Sequence, residues 1–275
     1  MMKSAADMDL ANLDGRRLPG TQQPGTQQPG TQQPGTQQPG TQLDEAGLPG
    51  AQLDWPALHA ALREQGHAST PPLLAPEACA ALAGLFEGGA AFRSEIDMAR
   101  HGFGRGRYKY FDYPLPPLVQ ALRAGFYRGL APLARLWTGA AYPSELEDYL
   151  AQCHAAGQTR PTPLLLRYEA GDYNRLHRDL YGAMAFPLQA VLLLDHPGVD
   201  FEGGEFVLVE NRPRMQSKAS VIALQQGQAL IFAVDRRPLS LSEGRAGSFA
   251  ALRHGVSKLH RGHRRTLGLI FHDAA

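Results

Sequence analysis

After Pro163 the chain breaks into short apolar runs that suit strands, and this constrains the fold more than any other feature. Residues 164–168, 188–194, 205–209, 220–224, 229–234, 249–254 and 266–272 are each of strand length, with Gly, Pro, Asn and Asp between them. Short strands joined by loops of unequal length predict a sandwich or a jelly roll. No glycine-rich strand-to-helix turn of the dinucleotide or nucleoside-triphosphate type is present, and nothing suggests a parallel βαβ sheet.

Residues 52–160 read as the mainly helical N-terminal part of the same unit. Asp54 is placed to cap a helix with Pro56 in its first turn, Leu58, Ala61 and Leu62 on one face, and Gly66 at its end. Pro76 and Glu77 open a second helix through Leu82, Leu85 and Phe86. Leu118, Leu122, Phe126, Leu130 and Leu133 mark a third over 118–137, which Gly125, Gly129 and Pro132 are expected to weaken or interrupt. A fourth is expected over 144–155, and 92–113 is the one non-helical stretch. The expected class is therefore α+β.

Residues 1–51 are a different material. Pro-Gly-Thr-Gln-Gln starts at Pro19, Pro24, Pro29 and Pro34, and Pro39 begins a copy that ends in Leu43. A five-residue period with Pro and Gly in every copy sustains neither helix nor central strand. It also offers no apolar face to offset the entropy of ordering. A disordered tail is expected, serving as a tether for a partner or having arisen by repeat slippage without a role. Collagen is excluded, because its Gly recurs every third residue.

Composition narrows the function. Hydrophobic residues are 43% and charged residues 19%, enough to bury a core. Lys plus Arg total 27 against 26 for Asp plus Glu, which excludes a nucleic-acid wrapper held by bulk positive charge. The two cysteines, Cys79 and Cys153, are too few for a four-cysteine zinc site or a disulfide scaffold. No run of about 18 apolar residues suggests a membrane span. The first residues lack the apolar region of a secretory signal, so a cytoplasmic protein is expected.

The chemistry is carried by His177 and Asp179, in the extended segment 173–179. Residues i and i+2 of a strand face one side, so an imidazole and a carboxylate point at one ion. His254 ends a later strand, and across a jelly roll such strands face each other. Two histidines and a carboxylate with open positions suit a non-haem Fe(II) oxygenase. Ten residues past His254 come Arg264, Arg265 and Thr266. Arg264 and Thr266 share one face of the last strand, and Arg265 takes the other. A guanidinium with a hydroxyl two residues on suits a small dicarboxylate.

A triad followed at this distance by Arg-x-Thr resembles the Fe(II)/2-oxoglutarate-dependent dioxygenase superfamily. Arg167-Tyr168-Glu169-Ala170-Gly171 before His-x-Asp, Phe201-Glu202-Gly203-Gly204-Glu205-Phe206, and Thr266 to Asp273 resemble its prolyl-hydroxylase-like members. The resemblance implies a double-stranded β-helix (jelly roll) core over 161–275 with the N-terminal helices packed on it. It implies Fe(II) held by His177, Asp179 and His254, with 2-oxoglutarate as co-substrate and O2 as oxidant. Arg264 would bind the far carboxylate of 2-oxoglutarate, with Thr266 and Tyr168 as further contacts. The implied reaction hydroxylates a substrate C–H and releases succinate and CO2.

A narrower resemblance rests on Phe92-Arg93-Ser94, residues 104–111, His177 to Gly182 and Arg212 to Ser217. These look like a bacterial oxygenase family described as acting on damaged DNA by oxidative demethylation. Hydroxylation of a prolyl or other aminoacyl residue, or of a small metabolite, is the alternative, and a jelly-roll ligand sensor without turnover is a non-enzymatic one. Arg105 to Phe111 interleaves basic and aromatic residues, which reads either as a nucleic-acid contact or as inward-packed aromatics with solvated charges. Arg212, Arg214, Lys218, Arg236 and Arg237 are candidates for a basic rim, and Leu180-Tyr181-Gly182 for shaping the pocket. The other histidines read as ordinary. His59, His67, His101 and His154 lack a matching ligand set, His196 is a turn residue, His260 and His263 fall in a loop before the arginine strand, and His272 closes that strand.

Overall fold

Local signals set the first helix. In the computed structural model, which describes residues 53–180, 182–242 and 245–275, α1 spans Trp55–Gln65 and the Asp54 carboxylate accepts the Ala57 N–H at 3.0 Å. Gly66, at φ 79°, ends the helix and donates its N–H to the Leu62 carbonyl. The repeat of residues 1–51 lies outside the described residues. The strand β1 (His67–Pro72) follows, then α2 (Pro76–Gly84), β2 (Phe92–Asp97), β3 (Gly104–Arg105), β4 (Arg107–Phe111), α3 (Pro117–Thr138) and α4 (Leu146–Ala155).

Two of these elements depart from the sequence reading. β1 is a strand without an apolar alternation; it pairs through its backbone with β11 (Gln228–Ala233) at the sheet edge, a contact local pattern does not announce. α3 runs unbroken through Gly125, Gly129 and Pro132. Its buried face, including Leu122, Phe126, Leu130 and Leu133, outweighs the helix-breaking residues. Gly129 is there for contact: a Cβ would sit 2.1 Å from the Trp55 ring.

The remaining strands are β5 (Leu164–Glu169), β6 (Tyr173–His177), β7 (Leu188–Leu193), β8 (Phe201–Gly203), β9 (Phe206–Asn211), β10 (Lys218–Ile222), β12 (Arg236–Pro238), β13 (Leu241–Ser242), β14 (Arg245–Ala246), β15 (Phe249–Val256) and β16 (Leu259–Leu269). Apart from β13 and β14, which pair only with each other, the strands form two antiparallel sheets. One has the order β1-β11-β7-β16-β5-β4-β2, with β8 beside β16. The other has the order β10-β9-β15-β6-β3, with β12 beside β15. The chain crosses between sheets at β5 to β6, β6 to β7, β7 to β9, β10 to β11, β11 to β15 and β15 to β16. That winding is a jelly roll. The fold is α+β, and the two sheets face each other without closing into a barrel.

The helical side of the first sheet holds the main core, with Phe111, Leu165, Leu192, Leu267 and Leu269 packed with Leu122, Phe126 and Tyr127. The chain's end is pinned into it by a buried ion pair that the sequence reading missed. Arg123 of α3 donates to the Asp273 carboxylate at 2.8 Å, and both side chains are fully buried. Its Nε donates to the Ile270 carbonyl at 2.9 Å. The other Asp273 oxygen accepts from the Tyr113 hydroxyl at 2.9 Å and pairs with His154 Nε2 at 2.8 Å. His154 is thus a hydrogen-bonded side chain, as expected.

The last hairpin also differs from expectation. Only Ser257 and Lys258 separate β15 from β16, so His260 and His263 lie on the strand rather than in a loop. The first half of β16 is held by pairing with β8, which residues 201–203 do not reveal by themselves. β16 ends at Leu269, so His272 lies beyond it, where its Nδ1 accepts the Phe186 N–H at 3.1 Å. Burial holds its pKa down to about 4, so it is neutral at pH 7.

Candidate active site

β6 and β15 are neighbours in the second sheet, and their register sets His177 directly opposite His254. The two imidazole rings are 4.2 Å apart. Asp179 lies two residues past the end of β6 and points back between them. Its Oδ1 is 3.4 Å from His177 Nε2 and its Oδ2 is 3.4 Å from His254 Nε2. One ligand atom from each of the three residues lies within 4.8 Å of the others, a group able to hold a metal ion.

The donor chemistry fits a divalent transition metal. His177 Nδ1 donates to the Arg175 carbonyl at 2.7 Å, which turns Nε2 toward the centre as the atom that would bind an ion. His254 is held between Phe206, stacked at 5.7 Å, and Phe232, tilted at 4.6 Å. Burial first, and the nearby His177 second, hold its pKa below the usual histidine range. Two imidazoles and a carboxylate on one side of an ion suit Fe(II).

β6 brings these donors together through an irregular register with β15. His254 pairs with His177 but Val256 pairs with Asn174, so β6 carries one residue more than its partner. This bulge turns Asn174 and His177, three apart, to the same interior. Gly255 makes it fit, since a Cβ there would lie 2.6 Å from the Asn174 carbonyl oxygen. Asn174 then donates to the Tyr168 hydroxyl at 3.3 Å.

On the opposing sheet, Arg264 pairs with Tyr168, and Thr266 pairs with both Leu166 and Leu193. Opposite residues of an antiparallel pair share a face, so Arg264, Tyr168 and Thr266 all face the interior. Arg264 is 3% exposed, and its guanidinium lies 5.9 Å from the centre of the Tyr168 ring. It has no carboxylate within ion-pair distance among the described residues. Burial pushes the guanidinium down and the Tyr168 hydroxyl up to about 12. A cavity of about 270 Å³ opens on Arg264, lined also by Glu205, Gly204, Phe206, Leu193 and Leu224. Phe206 is the wall it shares with His254. Gly204 allows close approach, since a Cβ would lie 3.0 Å from Arg264 Cδ. Ser257 Oγ accepts the Glu205 N–H at 2.9 Å and donates to the Glu205 carboxylate, which holds that pKa low.

Arg265 goes to the other face, as the alternation predicts. Its Nε, Nη2 and backbone N–H all donate to Asp195, with the shortest side-chain contact at 2.6 Å. His263 is beside it, 3.2 Å from Arg265 and away from the triad.

The expected basic rim needs correction. Arg237 is 3% exposed and bound to Glu210 at 2.7 Å, and Arg212 pairs with the same carboxylate at 2.5 Å. Arg237 is thereby buried with its counter-charge, whereas the Arg212 side chain stays 39% exposed. Arg236 stacks on Phe249 at 5.0 Å. In β4, Tyr108 pairs with Leu166 and Tyr110 with Leu164, which turns both rings inward. Arg107 and Lys109 point outward to Glu95, at 3.3 and 3.4 Å. Tyr181, one of the expected pocket residues, lies outside the described residues; Leu180 is half-buried, and a Cβ at Gly182 would lie 2.5 Å from the Gln158 side chain.

Residues 106–274 match the model of the Oxygenase-NA family, described as "Oxygenase, catalysing oxidative methylation of damaged DNA". A protein of Mycobacterium tuberculosis strain H37Rv, "Uncharacterized protein Rv2227", is 46% identical over 170 residues, 60% of this chain and 72% of that protein. A prolyl-4-hydroxylase from Pseudomonas putida aligns over 80% of this chain and 99% of its own, at 14% identity and a TM-score of 0.46. An oxidoreductase of the 2OG-Fe(II) oxygenase family from Burkholderia pseudomallei aligns over 80% and 93%, at 16% identity and a TM-score of 0.48.

Proposed function

The chain belongs to the Oxygenase-NA family of oxygenases, and from that premise we propose that it is an Fe(II)- and 2-oxoglutarate-dependent dioxygenase acting on alkylated nucleic acid. One observation carries the reading. The three ligand atoms of His177, Asp179 and His254 converge opposite a buried Arg264 that lacks an acidic partner among the described residues. A guanidinium without a counter-charge in a closed interior calls for an anionic ligand.

In this reading His177, Asp179 and His254 hold the ion. Arg264 takes the far carboxylate of 2-oxoglutarate, with Thr266 as a second donor. The Tyr168 hydroxyl accepts from Asn174 and so turns its own proton toward that carboxylate. Ferrous ion held there with 2-oxoglutarate and O2 would supply the oxidising power to convert a substrate C–H to C–OH, with release of succinate and CO2, and an N-methyl substrate so hydroxylated would release formaldehyde and leave N–H. Phe206 and Phe232 keep water from the buried imidazole of His254. Among the described residues no helix is long and apolar enough to cross a membrane.

The test is succinate formation with Fe(II) and 2-oxoglutarate, screened against methylated oligonucleotides, peptides and small metabolites. Arg264→Ala removes charge-assisted hydrogen bonds worth about 1.5–3 kcal/mol each and is expected to raise the 2-oxoglutarate KM at least about tenfold. Arg265→Ala is expected to leave that KM near wild type and to lower stability, because Asp195 loses its partner. A large KM shift in Arg265→Ala with none in Arg264→Ala would place the co-substrate on the wrong face.

Asn174→Ala removes one neutral hydrogen bond, about 0.5–1.5 kcal/mol, and is expected to raise the 2-oxoglutarate KM about two- to tenfold. Metal affinity, read by titration, should stay unchanged. An equal loss of metal affinity would assign Asn174 a purely structural part in β6.

A further inference from the structure

We propose that the outer face of the second sheet, around Arg178, Arg236 and Arg253, is a docking surface for the phosphates of a nucleic-acid strand. The proposal rests on the reading of the triad as the reactive centre of an enzyme acting on nucleic acid, and it names the surface that holds the strand. The helices α1, α2 and α3 pack on β1, β11, β16 and β7, all in the first sheet. The outer face of the second sheet stays open. Along β15, Leu252 and His254 are buried while Ala251 and Arg253 are exposed, as is Val221 of β10. Register puts Arg236, Ala251 and Asn211 in one row across that face, and Arg253, Val209 and Ala219 in the next. Arg236 and Arg253 are therefore diagonal neighbours, about 7–8 Å apart.

β9 takes one edge of β15, and β6 and β12 share the other, one behind the other. The chain leaves that edge after β6, where Asp179 turns in to the triad, and returns to it with β12. Arg178 stands at this break. Its side chain bonds the Asp235 carboxylate at 2.5 Å, and Arg236 Nε is 3.9 Å from the same carboxylate. Arg178 follows His177 as Arg253 precedes His254, and those histidines face each other, so the two arginines lie side by side. The surface borders the point at which Asp179 enters the centre.

Charge singles this face out. Elsewhere Arg107, Arg128, Arg167 and Arg261 each pair with a glutamate. Here three arginines share one acid, Asp235, and Arg253 has no acidic partner among the described residues. That leaves two positive charges on one open patch of a chain whose net charge is +1. The Arg236 side chain is 66% exposed and lies over the Phe249 ring at 5.0 Å. Stacking holds the guanidinium in place while its in-plane donors stay free. Past Asn211, the hairpin between β9 and β10 adds Arg214 at the Arg236 end of the face. Arg214 is exposed and is the one residue other than glycine with a positive φ, 62°, among the described residues. Glycine would sit there without strain. A strained, exposed arginine without an acid is explained by contact rather than by packing. Guanidinium forks match phosphate oxygens two at a time, and the Arg236–Phe249 stack offers a base a flat partner.

The experiment is binding of a methylated single-stranded oligonucleotide, read by fluorescence anisotropy across a salt series. It uses the full chain loaded with Fe(II) and 2-oxoglutarate without O2. Arg236→Gln and Arg253→Gln are each expected to weaken binding about fivefold at about 0.1 M salt. Each should flatten the slope of log K against log salt by about 0.7, the value of one single-strand phosphate contact, and the double variant by about 1.4. Arg214→Gly should flatten it like a single variant while melting no lower than wild type, whereas a packing role would lower the melting temperature. Arg128→Gln, on α3, should leave the slope unchanged. All of these proteins should keep wild-type affinity for 2-oxoglutarate. A wild-type slope in the double variant overturns the surface. Equal competition by polyglutamate also overturns it, because the face would then hold acidic chains of any kind. A chain that forms succinate with a peptide and binds no oligonucleotide overturns the surface and the nucleic-acid reading together, and leaves the centre standing. Oligonucleotide binding with the expected slopes, by a chain that takes up neither metal nor 2-oxoglutarate, supports the surface and refutes the centre.

Discussion

His177→Ala, Asp179→Ala and His254→Ala are each expected to abolish 2-oxoglutarate turnover, while His260→Ala and His263→Ala retain it. Each of the first three removes one of three converging donors. The loss of metal affinity should exceed the 10–100-fold typical of removing an outer hydrogen-bond partner, so at least about a hundredfold. His263 faces Arg265 and Asp195 on the opposite side of β16, and His260 is exposed. Metal titration and succinate formation read the two effects separately. Wild-type metal affinity in His254→Ala would remove it from the site and with it the proposed chemistry. His254→Ala also leaves a gap between Phe206 and Phe232, so a melting curve should accompany it.

Asp273→Ala is expected to cost the largest share of stability of any single change away from the centre. It leaves the Arg123 guanidinium, fully buried, without its counter-charge. Breaking a buried pair from one side costs about 3–5 kcal/mol. At about 2–4 °C per kcal/mol for a chain of this size, the melting temperature should fall by roughly 6–20 °C. The variant with both Arg123→Met and Asp273→Ala should recover part of the loss, because no charge is then stranded. Urea denaturation of the three proteins checks this, and an Asp273→Ala protein as stable as wild type would show that Arg123 finds another partner.

The two sets of residues differ in how far their information travels. The jelly roll was legible because strand alternation is local: β5, β7, β9, β11 and β15 lie where apolar runs meet Gly, Pro and Asn. The same period separates Arg264 from Arg265, which the structure places on opposite faces. His177 and Asp179 were legible for a related reason, although Asp179 lies just past the strand. The helix starting at Asp54 and ending at Gly66 follows from its cap and its left-handed terminator.

Other features depend on a partner strand or a distant segment. The bulge that turns Asn174 inward exists only because β15 pairs with one residue fewer. β1 is a strand only because β11 lies beside it, and α3 stays helical through Pro132 because its apolar face is buried. Arg123 and Asp273 are 150 residues apart, and nothing near either predicts a buried cation. Period, caps and ligand spacing are properties of a few neighbouring residues, so the chain carries them before it folds. Register, bulges and buried ion pairs arise when distant strands and helices meet and must satisfy each other's hydrogen bonds and charges, so only the folded molecule contains them.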